Sequence, residues 1–245
     1  MGNGDRETIE RAATPATPPA TPPATGSRLI GAIVAPAVKL WLRSQVESAA
    51  EISVSLDGRD REILTGRLPL ARVAARGAVY QGLHLSAIDL VATEIAVNLS
   101  QVVRGKPLRL LQPIPVAADL RLSALDLAAS LAAPLLAPAL ADFLRPLLAH
   151  WGRPVQFDRP QASLESGALV LAGVIEDRPV QLRLGLELAS PQQLLLRDPC
   201  WRDGSGTWLG QADSVALPLG EDVAIETLSI EPDHLRCAGQ ITVRP

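Results

Sequence analysis

Between Ala78 and Leu111 the apolar residues keep a period of two but change phase along the way. Leu83 and Leu85 fall on one face, Ile88 and Leu90 on a face shifted by one residue, and Ile95, Val97 and Leu99 resume the alternation of a half-buried strand. A compact basic turn, Arg104-Gly105-Lys106-Pro107, follows. No catalytic residue set accompanies this pattern, so the apolar face itself is read as the working surface.

The rest of the chain is read as an α+β domain over residues 27–245, built mainly from antiparallel sheet, in the order helix, strands, helix, strands. Ser27 to Glu51 carries Ile30, Ile33, Val34, Ala37, Trp41 and Ala49 at helical spacing, with Lys39, Arg43 and Glu47 on other faces; Pro36 kinks this helix or delays its start. Strands are expected at Ile52–Leu56, near Ile63–Leu68, at Arg72–Tyr80, and at Val116–Leu122, where Val116, Ala118, Leu120 and Leu122 alternate with polar residues. Ser123 with Asp126 marks a helix start. The Leu/Ala/Pro-rich run Leu127–Trp151 then reads as a buried, kinked helix, with an interfacial helix as the alternative. It does not span a membrane, because three prolines and the charges Asp142 and Arg145 interrupt it. Val180, Leu182, Leu184, Leu186 and Leu188 give the cleanest alternation, and Leu235, Cys237, Ile241 and Val243 repeat it.

Composition narrows the function classes. Seven aromatic residues (four Trp, two Phe, one Tyr) leave the 245-residue chain with an aliphatic core of Leu, Ala and Val. A net charge of −3 argues against a nucleic-acid partner, which needs a clustered basic surface. The distribution is uneven, since basic residues outnumber acidic ones between Arg28 and Leu110, and that end suits an anionic membrane surface. Cys200, in a loop-like stretch, and Cys237, on a strand, have no metal-ligand spacing and are expected as reduced thiols, although a pairing stays open. Gly204-Ser205-Gly206 lacks the spacing of a nucleophile elbow, and His84, His150 and His234 are scattered. The acidic pairs Asp57/Asp60, Glu176/Asp177 and Glu221/Asp222 belong to turns. The chain is therefore read as a non-enzyme with no metal and no cofactor other than a bound lipid. Residues 1–26 repeat Ala-Thr-Pro and Thr-Pro-Pro units and read as a disordered tail without the form of a signal peptide, which leads to the expectation of a cytoplasmic or peripheral membrane protein.

Ala78-Val79-Tyr80-Gln81-Gly82-Leu83-His84-Leu85 and Val102-Val103-Arg104-Gly105-Lys106-Pro107-Leu108-Arg109-Leu110-Leu111 resemble the LmeA-like phospholipid-binding family, in the form seen in cyanobacteria. The resemblance implies kinship with tubular lipid-binding (TULIP-like) proteins, in which a curved antiparallel sheet wraps long helices around an apolar channel. It implies no catalytic residues, and it gives Arg104, Lys106 and Arg109 a role in headgroup or membrane contact, for which a solvated hairpin turn is the alternative. The expected function is non-enzymatic binding or transfer of a phospholipid or glycolipid, with an acyl chain shielded in an apolar cavity and transient docking on a membrane. The expected cavity residues are Ile95, Val97, Leu99, Leu120, Leu122, Leu182, Leu184 and Leu186, faced by Ile33, Ala37 and Trp41. A scaffold that takes a partner helix in its apolar groove, and an accessory factor in envelope lipid or glycan assembly, are the competing expectations.

Overall fold

The computed structural model describes residues 35, 38–40, 42–102, 106, 109–131, 133–134, 136–148 and 156–245. Among them the chain forms two antiparallel sheets. The first is ordered β1 (Glu51–Asp57), β2 (Arg67–Tyr80), β3 (Leu83–Ala96), β4 (Ile114–Ser123), β12 (His234–Val243) and β11 (Val223–Ile230). The second contains β5 (Asp158–Glu165), β6 (Ala168–Ile175), β7 (Arg178–Ser190), β8 (Gln193–Asp203) and β10 (Val215–Pro218) in neighbouring order, with the short β9 (Trp208–Gln211) also on β8. The C-terminal hairpin thus returns to close the first sheet against β4. Backbone bonds from Gly167 N to Ile230 O (3.1 Å) and from Ile225 N to Pro191 O (2.7 Å) tie the sheets together there.

The phase changes in the sequence have a structural cause. β2 and β3 form one long hairpin with an unbroken register, yet the rungs Gly77/Ser86 and Pro69/Glu94 are irregular. Gly77 and Glu94 both adopt positive φ there, +55° and +52°. Pro69 has no N–H for the ladder, so an irregular rung at that position is expected. Each irregular rung shifts both strands by one residue. The inward set is consequently Leu68, then Ala71, Val73 and Ala75, then Ala78 on β2, against Ile95, then Ala92, Leu90 and Ile88 on β3. The inner face stays apolar through both changes of phase.

The expectation of a sheet wrapped around long helices is overturned. The structure is mostly β, and its described helices are short: α1 (Asp60–Leu64), α2 (Leu99–Val102), α3 (Ala124–Ser130) and α4 (Leu136–Leu148), the longest at 13 residues. Where a helix over 27–51 was expected, residues 38–40 and 42–45 are helical; Ser48 already bridges to Val79, and β1 begins at Glu51. Ile33, Ala37, Trp41 and the N-terminal tail lie outside the described residues. The Leu127–Trp151 run is divided between α3 and α4, with Pro134 at the break, where its missing N–H cannot continue a helix. The expected strand near Ile63 is instead α1. Glu62 caps it by accepting a hydrogen bond from Arg59 N at 3.0 Å, and Ile63 is turned fully inward. Cys200 lies in β8 rather than a loop, and it and Cys237 are free thiols.

Both helices after β4 pack on the second sheet. Ser123 caps α3, its hydroxyl accepting from Asp126 N at 3.1 Å, while the Asp126 carboxylate accepts from the hydroxyls of Ser123 (2.8 Å) and of Ser86 on β3. The hydroxyl of Ser130, at the other end of α3, accepts from His84 N at 2.8 Å. These bonds clamp α3 across the β2–β3 hairpin end. Leu131, Leu144 and Leu147 then meet Leu171, Leu182, Leu184, Leu196 and Trp201 in a dense core, with Phe157 edge-on to Trp201 at 6.1 Å.

Candidate functional site

The inner face of the first sheet encloses a cavity of about 300 Å³. β1 contributes Leu56, β2 contributes Leu68, Ala71 and Val73, and β3 contributes Ile95. Val97, Leu99 and Leu110 come from the connection between β3 and β4, Ile114 from the start of β4, Ile63 from α1, and Val38 and Leu42 from the N-terminal helical segment. Every one of these side chains is aliphatic. Arg109 is the one polar residue among the described residues of the wall, and it is exposed.

Two local devices build this wall. Gly66, with φ +81°, ends α1 and lets β2 start; a Cβ there would lie 2.2 Å from the Val97 carbonyl oxygen, so only glycine fits. Gly66 O in turn accepts from Val97 N at 2.8 Å, which fixes the first residue past β3. Asn98, 5% exposed, then holds Arg109 by its backbone: Asn98 Oδ1 accepts from Arg109 N at 2.8 Å, and Asn98 N donates to Arg109 O at 3.2 Å. A buried amide side chain satisfied in this way pins the loop to the end of β3. The guanidinium of Arg109 makes no ion pair with any described residue.

Of the residues singled out in the sequence, Ile95, Val97, Leu99 and Arg109 share this one cavity. Lys106 is exposed nearby in the chain, its N–H donating to Gln101 O at 3.1 Å to close α2, and Arg104 lies outside the described residues. The other leucines are elsewhere. Leu182 and Leu184 are wholly buried in the second core; Leu186 borders a shallow polar depression on β7; Leu122 is buried and Leu120 half-buried on β4, opposite β12. A smaller apolar hollow of about 190 Å³ lies between the helices and the second sheet, walled by α3, α4, β5 and β6.

Residues missed in the sequence reading include Asn98 and Gly66. Each carried a signal: Asn98 is a lone amide between Val97 and Leu99, and Thr65-Gly66 is a turn dipeptide. No group of three His, Cys, Asp or Glu among the described residues is placed to hold a metal ion. No described helix is long and apolar enough to cross a membrane.

The described residues thus form an antiparallel sheet protein with an aliphatic cavity on one sheet and Arg109 on its wall. The family model for LmeA-like phospholipid-binding proteins matches residues 25–240, and the chain belongs to that family. No curated protein and no solved structure gives a significant match.

Proposed function

We propose that the protein binds a phospholipid by sheltering one acyl chain in the cavity of the first sheet, with Arg109 at its edge meeting the headgroup phosphate. The observation that supports this reading is the described wall itself: aliphatic side chains and one guanidinium, that of Arg109, which pairs with no described residue. The volume sits at the lower end of ligand pockets, which run from roughly 300 to 1,000 Å³, and so suits one chain better than a whole two-tailed lipid. Burial of about ten methylenes at ~0.8 kcal/mol each supplies ~8 kcal/mol, the standard free energy of a micromolar complex. Arg104 and Lys106 belong to the same proposal as further headgroup contacts, with docking on an anionic membrane delivering or removing the lipid. A glycolipid with an anionic headgroup would satisfy the same chemistry.

Native mass spectrometry of the purified chain, followed by organic extraction, tests it. The expected result is a stoichiometric phospholipid or glycolipid. Ala71→Phe, which fills the cavity from β2, is expected to stay folded with a melting temperature within ~5 °C and to carry no lipid. A clean apo mass with no uptake from anionic liposomes would sink the proposal.

A further inference from the structure

The N-terminal helical segment has a second working face. Val38 and Leu42 line the apolar cavity, whereas Lys39 and Arg43, also one turn apart, line a separate polar depression of about 410 Å³. The exposed edge strand β1 and its neighbour β2 complete that depression, bringing Arg76 and Glu51 to it. Among the described lining residues three are cationic, Lys39, Arg43 and Arg76, and one, Glu51, is acidic. Arg76 is shared with Asp89 at 3.2 Å, but Lys39 and Arg43 make no ion pair with any described residue. Some arginines of the sheets are matched across strands, as in Arg72–Asp57, Arg183–Glu165 and Arg236–Asp119, while others, such as Arg67, Arg121 and Arg202, make no ion pair with a described residue. Leu40 lies about half a turn from the cavity-lining pair and is 72% exposed, a large apolar side chain held in water between the two free cations.

We infer that the outer face of this segment, Lys39, Leu40 and Arg43 with Arg76 beside them, is the surface by which the protein docks on an anionic phospholipid bilayer. Charge complementarity and the exposed leucine argue for that occupant. A leucine flanked by cations at helical spacing matches the interfacial mode, in which the apolar side chain enters the headgroup–acyl boundary and the cations meet phosphates. Continuity argues for it as well, since the same two turns of helix form the cavity wall and the docking face. The bilayer would then lie one helix diameter from the acyl-chain site. This inference rests on the lipid-binding reading above.

The test uses the full chain and two separate readouts. Sedimentation with vesicles of phosphatidylcholine, alone or mixed with phosphatidylglycerol, reports docking; the fluorescence of cis-parinaric acid, a free fatty acid added without vesicles, reports the cavity. Wild type is expected to bind the mixed vesicles, more weakly as salt rises, and to leave pure phosphatidylcholine vesicles in solution. K39Q/R43Q is expected to lose about 30-fold in partitioning, at ~1 kcal/mol for each cation, and L40N about tenfold. Both variants should take up cis-parinaric acid as wild type does. Wild-type partitioning by either variant would overturn the inference, as would binding of wild type to both vesicles alike, or competition by free glycerol phosphate as effective as the vesicles. Failure of wild type to take up cis-parinaric acid would instead overturn the cavity reading.

Discussion

The two apolar regions of the molecule are made of the same residues and end in opposite states. In the second, Leu147, Leu182, Leu184, Leu196 and Trp201 have no exposed surface, and α3 and α4 cover the sheet with Phe157 and Phe143 filling the gaps. In the first, Ala71, Ile95, Val97, Ile114 and Val116 are buried, but most of their neighbours are only partly so, and about 300 Å³ stays open. Among the described residues no aromatic side chain lines that region, and its described covers are short: α1, α2 and the N-terminal segment that carries Val38 and Leu42. Protein interiors pack to crystal-like density when complementary shapes are available. Aliphatic strands with short covers leave a space, and the space faces solvent at Arg109. A cavity of this kind needs no unusual residues within the sheet.

Substitutions that treat the two regions alike should therefore have unequal effects. Leu184→Asp gives the largest: it places a carboxylate with no partner where no water reaches, and is expected to cost more than ~5 kcal/mol and leave the chain unfolded by circular dichroism. A folded Leu184→Asp variant would mean that the second region is less tightly closed than its packing shows. Truncations sharpen the contrast. Leu182→Ala should cost about 4 kcal/mol in denaturant unfolding, Ile95→Ala about 2 kcal/mol, because one side of Ile95 already faces open space and fewer contacts are lost. Equal costs would erase the distinction between core and cavity.

That distinction was only partly legible in the sequence. The period-two pattern of Leu83 to Leu99 announced half-buried apolar strand, and its two phase changes fall at Ser86 and Glu94, where the rungs Gly77/Ser86 and Pro69/Glu94 are missing from the ladder. Alternation says which face of a strand is dry, but not what the dry face meets. Leu182 and Leu184 alternate as cleanly as Ile95 and Val97, yet helices cover one pair and a cavity the other. The helical spacing of 27–51 and 127–151 was real over short pieces. Strand pairing at Ser48 and the break at Pro134 cut both runs, and such tertiary limits leave little trace in local periodicity. Asn98 escaped notice because its role depends on meeting Arg109, eleven residues away, and that contact exists only once the loop is folded.

The joint between the two regions supplies the smallest expected effect. Asp126 stands at the first turn of α3, tied to Ser86 of the first sheet while its helix packs on β5 of the second. Burial pushes its carboxyl up, but the hydrogen bonds from Ser86 and Ser123 outweigh that and hold it below the usual carboxylate range. A carboxyl with a depressed folded value adds stability that is complete above the unfolded value, about pH 4, and is lost as the pH falls through the folded one. Asp126→Asn should therefore lower stability by about 1 kcal/mol at neutral pH, the usual worth of a helix-capping interaction. Its difference from wild type should shrink in acid, below about pH 4, where the wild-type carboxyl is itself protonated. Urea titrations of both proteins across that range measure the difference directly. If the gap held constant down to the lowest pH, Asp126 would be acting through its shape alone, and the clamp between the sheets would not depend on its charge.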